Sequence, residues 1–293
     1  MEGEEQNVVK GVIFAVCAFA AFSVSDAVRK MIALDYDILD ILLWQALSGM
    51  LMLCLICPFF GGLGALLNIK NIGLHLTRGG LIALNTTFSI SAISRIPIVD
   101  AYTIFFLTPF MVSLMGVILF KEKIGPYRLF SIACGFLGAF IAFRPGFNEI
   151  NPAYILALVC VFTFSTSSVL VRFFRHEKTA LSFAFWPFLV LITGIFIYKQ
   201  ASIPLITDMT FLGYSAVAGG AYGFALLAIA YSYTLGPASV IAPYQYTQII
   251  FALGFGYILF GDVPDIYKIA GASLIIGSGI ALFARERKAK LSA

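Results

Sequence analysis

Acid, base and hydroxyl side chains gather in the first long apolar run of the chain, as Ser23, Ser25, Asp26 and Arg29. Asp26 and Arg29 stand three residues apart, so on a helix they share a face and can pair. A charge inside an apolar run costs about 2.5–3.5 kcal/mol on insertion scales, so such groups turn toward a cavity or a partner. One reading makes Asp26 a ligand-binding or proton-accepting carboxylate at the mouth of a cavity; the other makes the pair an interfacial ion pair near a helix end. A second polar group lies near the other end of the chain. At about 100° per residue, an α-helix places Tyr244, Gln245 and Gln248 in one arc of about 100°, with Tyr246 pointing away. The amides both donate and accept, and tyrosine adds an amphipathic face, which suits a heteroaromatic or zwitterionic small molecule. Interhelical hydrogen bonding by the two glutamines is the alternative. Pro243 frees a carbonyl and favours a kink beside them. Trp44 with Gln45, Asn85 with Thr86 and Thr87, Trp186 and Tyr222 are further polar or aromatic candidates inside apolar runs. Each can line a cavity or simply pack.

Other chemistry finds little footing. Cys54 and Cys57 have redox or metal spacing, but Leu55-Ile56 separate them within an apolar stretch and no second pair follows, so all five cysteines read as small hydrophobes. His75 and His176 are isolated and join no ligand cluster, so neither a metal nor a cofactor is expected. An intramembrane enzyme would need a buried nucleophile–base or metal constellation. The sequence holds no G-x-x-x-x-G-K-[ST] phosphate loop, which argues against an ATP-driven machine.

The elements that position these residues follow from composition. Of 293 residues, 60% are hydrophobic and only 12% charged, with mean hydropathy +0.96. A soluble globule could not cover its surface with so few charges, and a net charge of +4 gives nucleic-acid binding no support. Runs of about 20 apolar residues cross a bilayer. Ten are present, at 8–28, 38–59, 72–93, 98–120, 126–144, 153–173, 180–198, 210–232, 237–260 and 265–284. The acidic start Met1-Glu2-Gly3-Glu4-Glu5, with no small-residue cleavage site after the first run, predicts a retained span rather than a signal peptide. With both termini cytoplasmic, thirteen Lys and Arg fall inside and six outside (Arg29, Lys30, Arg95, Arg144, Lys199 and Lys268). That bias predicts a multi-pass protein of the inner or plasma membrane with both ends cytoplasmic.

The chain also repeats itself. At an offset of 140, Gly79-Gly80 matches Gly219-Gly220, Pro97 matches Pro237, Gly116 matches Gly256, Ile118-Leu119-Phe120 matches Ile258-Leu259-Phe260, and Glu122 matches Asp262. At 143, Ser25 matches Ser168 and Val28-Arg29 matches Val171-Arg172, while Val169 stands where the first copy has Asp26. The match of Tyr244, Gln245 and Gln248 is Ile104, Phe105 and Thr108, with Pro109 beside them. The expected units are residues 1–146 and 147–293. Five spans per unit is odd, so the second must enter the membrane inverted, an architecture of secondary transporters with the site between the halves. Gly135, Gly138 and Ala142, and Gly277 with Ala281, read as close-packing seams that serve either the fold or a homodimer.

The segment Gly236-Pro237-Ala238-Ser239-Val240-Ile241-Ala242-Pro243-Tyr244-Gln245-Tyr246-Thr247-Gln248, with Phe260-Gly261-Asp262-Val263-Pro264-Asp265, resembles the ninth span and following loop of EamA-type transporters of the drug/metabolite transporter superfamily. Arg95-Ile96-Pro97-Ile98-Val99-Asp100-Ala101 through Phe120-Lys121-Glu122-Lys123 has the matching first-copy pattern. The resemblance implies an all-α membrane protein of ten transmembrane helices, built as two inverted five-helix repeats. It implies a secondary transporter of a small organic metabolite, similar to members that take up S-adenosylmethionine or riboflavin, with amino-acid or metabolite export as a further possibility. The expected partners are a small-molecule substrate and membrane lipid, the expected state a monomer or homodimer. The residues expected to bind substrate are Asp26, Trp44, Asn85, Phe105, Thr108, Trp186, Tyr222, Tyr244, Gln245 and Gln248.

Overall fold

Helix starts are fixed by short polar side chains. Asp37 accepts the Leu39 N–H, Asn71 that of Leu74, Asn151 that of Ala153, Asp208 that of Thr210 and Asp265 that of Lys268. Each satisfies an orphan donor of a first turn. The computed structural model describes residues 2–67, 69–120, 126–143, 151–173, 180–200, 208–235 and 241–291. Glu122, Arg144, His176 and the Gly236–Val240 stretch of the family-like segment lie outside the described residues.

The helices are α1 (Glu2–Ile32), α2 (Ile38–Ile56, continued by a 3₁₀ turn Cys57–Phe60), α3 (Leu63–Leu67) and α4 (Ile72–Ile93). Next come α5 (Ile98–Phe105), α6 (Thr108–Phe120) and α7 (Pro126–Phe143). The C-terminal set is α8 (Ala153–Phe173), α9 (Ala180–Tyr198), α10 (Met209–Leu235), a 3₁₀ segment (Ala242–Thr247), α11 (Gln248–Phe260) and α12 (Ile266–Leu291). No strand occurs among the described residues. Every one of the ten apolar runs is occupied by helix over its described part, but the fourth and ninth are not the continuous α-helices their length predicts. The fourth breaks at Phe106–Leu107 and the ninth enters through the 3₁₀ segment. Proline is the cause in each. Pro109 sits just inside the restarting α6 and Pro243 just inside the 3₁₀ segment, and neither can donate the backbone bond that would continue the turn before it.

Among the described residues, five helices are long and apolar enough to cross a membrane: Val9–Ile32, Ile38–Phe60, Ala153–Leu170, Ala180–Tyr198 and Met209–Leu235. The surface agrees. Leu55, Phe59, Phe130, Phe162, Ile197, Ile250 and Ile258 are exposed, whereas Asp26, Arg29, Gln45, His75, Arg78 and Thr86 are buried. Apolar outside and polar inside is the arrangement of a chain whose solvent is lipid.

α1 packs along α10, and α4 along α8; α2 meets α10, and α4 meets α9; α7 meets α12. Glycines set how near these helices come. A Cβ at Gly219 would collide with the Gln45 carbonyl of α2, and one at Gly79 would sit 2.7 Å from Val190 Cγ2 of α9. Their repeat neighbours Gly220 and Gly80 would meet nothing within 4 Å. A Cβ at Gly138 would lie 2.7 Å from the Gly271 carbonyl oxygen of α12, and one at Gly135 would strike the Phe110 ring. This part of the expected seam therefore holds the fold together, while Gly277 faces open space.

Candidate functional site

On α1, Phe19, Phe22, Asp26 and Arg29 recur at steps of three and four and so form one inward stripe. This stripe is one wall of a cavity holding about 540 Å³ of open space, its mouth included. Asn85, Thr86 and Ser89 of α4 form a second wall, and Tyr102, Phe105 and Thr108 a third, at the break between α5 and α6. Cys160 and Phe164 of α8, Tyr222 of α10, and Gln245 and Gln248 close the other side.

The charges inside are matched. Arg29 is 1% exposed and Asp26 5%. The Arg29 Nη2 pairs with Asp26 Oδ1, as the three-residue spacing predicts. The Tyr102 hydroxyl donates to Asp26 Oδ2 at 2.7 Å, so the carboxylate is held from α5 as well. The pair is thus buried within the helical assembly, one turn before the end of α1. The Arg29 guanidinium lies 5.3 Å from the centre of the Tyr222 ring, and the Tyr222 hydroxyl shares a 2.7 Å hydrogen bond with Thr86 Oγ1. Asn85 Nδ2 donates to the Cys160 carbonyl at 2.9 Å and to Thr163 Oγ1 at 3.3 Å, tying α4 to α8.

The broken helices account for the rest. In a continuous helix the residue-109 amide would donate to the Phe105 carbonyl, and a proline there cannot. Gln245 Nε2 fills that place at 3.3 Å. The two residues in this bond, Phe105 and Gln245, are partners in the sequence repeat. The 3₁₀ geometry also decides which ninth-run residues reach the cavity. With three residues per turn, i and i+3 eclipse, so Gln245 and Gln248 share a face and Tyr244 turns off it. The α-helical arc that grouped all three does not apply to this segment.

Of the ten residues expected to bind substrate, the structure brings seven together around the cavity: Asp26, Asn85, Phe105, Thr108, Tyr222, Gln245 and Gln248. The other three stand outside its lining. Trp44 and Tyr244 pack half-buried against the main core, and Trp186 stands with its ring 5.9 Å from that of His75. His75 stacks on Phe183 at 5.0 Å, and Arg78 donates to the Phe183 carbonyl, so these two polar residues serve α4–α9 packing. Sequence reasoning missed Phe19, Phe22, Ser89, Tyr102 and Phe164. The run Tyr102, Phe105, Thr108 at steps of three, and Asn85 with Ser89 at a step of four, were the signals available.

At one end of the molecule, charges link the N-terminal and C-terminal helices. Lys30 Nζ lies 3.3 Å from Asp262 Oδ2 and donates to the Ile96 carbonyl. Lys268 Nζ lies 2.7 Å from Asp100 Oδ1, and the Tyr154 hydroxyl donates to Asp100 Oδ2 at 3.2 Å. Lys199 pairs with Asp40 and lies 3.7 Å from Asp37, and the Tyr36 hydroxyl donates to Asp208. That bond, with help from the Thr210 amide, lowers the Asp208 pKa from its usual carboxylate range and raises that of the Tyr36 phenol.

A family model described as the EamA-like transporter family matches the chain twice, over residues 9–144 and 151–284. The chain is 20% identical to an S-adenosylmethionine uptake transporter of Rickettsia prowazekii, covering 97% of this chain and 96% of that protein. It is 27% identical to a riboflavin transporter of Brucella anthropi, covering 75% and 79%. It is 26% identical to a pseudopaline exporter of Pseudomonas aeruginosa, covering 93% and 95%. One solved crystal structure shares the fold with a TM-score of 0.71 at 15% identity, covering 97% of this chain and 98% of that one.

Proposed function

This chain belongs to the EamA-like transporter family, and on that premise we propose that it carries a small organic metabolite across the inner or plasma membrane by alternating access. S-adenosylmethionine uptake is the leading assignment. The observation that carries the proposal is the cavity, whose walls come from equivalent elements of the two family-matched segments. The first, third and fourth apolar runs supply one side and the sixth, eighth and ninth the other.

Two inverted five-helix units, 1–146 and 147–293, fit this arrangement. Exchanging the units turns the α1–α10 contact into α8–α4, turns α2–α10 into α9–α4, and returns α7–α12 to itself. The Gln245–Phe105 bond between repeat-matched positions suits a pseudo-twofold axis at that point. Both termini cytoplasmic remains the orientation we favour. Arg29 and Arg78 are buried and are no longer loop charges, which removes one cation from each side and leaves the inward bias intact. On this orientation the charged end faces outward, and its inter-unit ion pairs act as the outer gate. Rocking that opens it must separate Lys30 from Asp262, Lys268 from Asp100 and Lys199 from Asp40.

Phe22, Phe164 and Tyr222 offer aromatic faces for an adenine ring and a sulfonium. Asp26 is already matched by Arg29 and Tyr102, so it orients Arg29 rather than balancing a cationic cargo. Riboflavin is the second reading, because the charges lining the cavity sum to zero and riboflavin is neutral. Family membership speaks for transport rather than catalysis. The test is uptake of labelled S-adenosylmethionine into vesicles holding the purified protein. Saturable uptake, competed by unlabelled compound and reduced by Gln248→Ala in a protein that still folds, is expected. No uptake, together with no thermal stabilisation by the compound, overturns this cargo.

A further inference from the structure

Among the described residues lining the cavity one is a cation, Arg29, and it is only partly used. Arg29 Nη2 engages Asp26, yet Nε and Nη1 are buried without a hydrogen-bond partner. A buried, unsatisfied donor on a charged group costs more than the roughly 1–3 kcal/mol of a neutral one, so leaving two needs a reason. Three neighbouring donors are committed. Tyr102 gives its proton to Asp26, Asn85 Nδ2 bonds Cys160 and Thr163, and Gln245 Nε2 bonds Phe105. Arg29 is therefore the cationic donor in the lining with N–H groups to spare.

We infer that Arg29 binds a carboxylate of the cargo, and that the cargo is an amino-acid-type zwitterion. The inference rests on the reading of this cavity as the cargo site. A guanidinium held in place by Asp26 and by the Tyr222 ring is preorganised to receive a carboxylate oxygen by charge-assisted bonds. The lining is neutral before cargo enters, because Asp26 offsets Arg29. A phosphate dianion would leave unbalanced charge in a low-dielectric space. A zwitterion brings its own positive group, which the rings of Phe22 and Phe164 can face.

The test compares compounds that differ only in the carboxylate: S-adenosylmethionine against decarboxylated S-adenosylmethionine, L-tryptophan against tryptamine, and L-phenylalanine against phenethylamine. Affinity is read from thermal stabilisation of the purified protein and from competition for vesicle uptake. In at least one pair the carboxylate should bind about tenfold to hundredfold more tightly than its partner. Arg29→Lys keeps a cation beside Asp26 and so keeps the fold, but lacks the spare guanidinium donors; the preference should collapse. The neutral double variant Asp26→Asn/Arg29→Gln should lose it too, which separates a binding effect from a buried unpaired charge. Equal affinity within every pair, or a preference that survives both variants, overturns the inference. Binding of riboflavin or of a phosphate monoester without any of the carboxylates also overturns it, and leaves the transporter reading standing. A folded wild-type protein that neither binds nor carries any of these compounds overturns both.

Discussion

Asp26 illustrates how a short-range pattern and a long-range contact differ in visibility. Its pairing with Arg29 is legible from a spacing of three on one helix, whereas its second partner, Tyr102, is 76 residues away and no local pattern joins the two. Burial sets the energetic scale. Removing one member of a buried ion pair costs about 3–5 kcal/mol, because the survivor keeps its charge and loses its counterion. Asp26→Ala should therefore lower stability by about that amount in a detergent melt. Tyr102→Phe removes one hydrogen bond to a charged group and should cost about 1.5–3 kcal/mol. Equal, small losses for both would mean that water reaches the pair. Proton coupling through Asp26 would have to break this same pair, so it belongs to a state other than the one described.

At the level of elements, two prolines explain what helical periodicity could not. The apolar runs containing Pro109 and Pro243 are legible as spans, but the shift from 100° steps to 3₁₀ geometry is not written in hydrophobicity, and it is what removes Tyr244 from the cavity wall. The Phe105 carbonyl links the two breaks through Gln245. Gln245→Ala should destabilise the protein by about 1 kcal/mol. In a Pro109→Ala background the new residue-109 amide can serve the Phe105 carbonyl, and the cost of Gln245→Ala should shrink. A double-mutant cycle measures this coupling, and strict additivity would exclude it. The double glycines divide in the same element-based way. Gly219→Ala should be destabilising because its Cβ meets the α2 backbone. Gly220→Ala faces open space and should be neutral or raise stability by up to about 1 kcal/mol.

For the whole molecule, composition and ten apolar runs made the helical membrane fold legible, and the family-like segment made the transporter class legible. The inter-unit charge links were not. Lys30, Lys199 and Lys268 read from sequence as outer loop charges, and only the fold brings each beside its carboxylate partner, Asp262, Asp40 or Asp100, from the other half. The Tyr36–Asp208 link adds a pH signature to that end. Asp208 has a lowered pKa, so its contribution is present above the unfolded carboxylate value and fades as pH falls through the folded one. Tyr36 has a raised pKa, so the same link is complete below the unfolded phenol value and is lost as pH rises through the folded one. Carboxyl NMR titration should show the Asp208 midpoint move back up in Tyr36→Phe; an unchanged midpoint would deny the link. The central claim is that the cavity opens alternately to the two sides and that these ion pairs close one of them. Cys160, buried in the cavity wall, reports on it without knowledge of the cargo. With Cys17, Cys54, Cys57 and Cys134 replaced by serine, labelling of Cys160 by a membrane-impermeant methanethiosulfonate is measured in sealed vesicles of each orientation. The expected result is slow labelling from the charged end that accelerates at least severalfold in Asp100→Asn/Asp262→Asn, with a matching slowdown from the opposite side. Labelling that is absent from both sides, or that ignores the loss of the ion pairs, would contradict the claim.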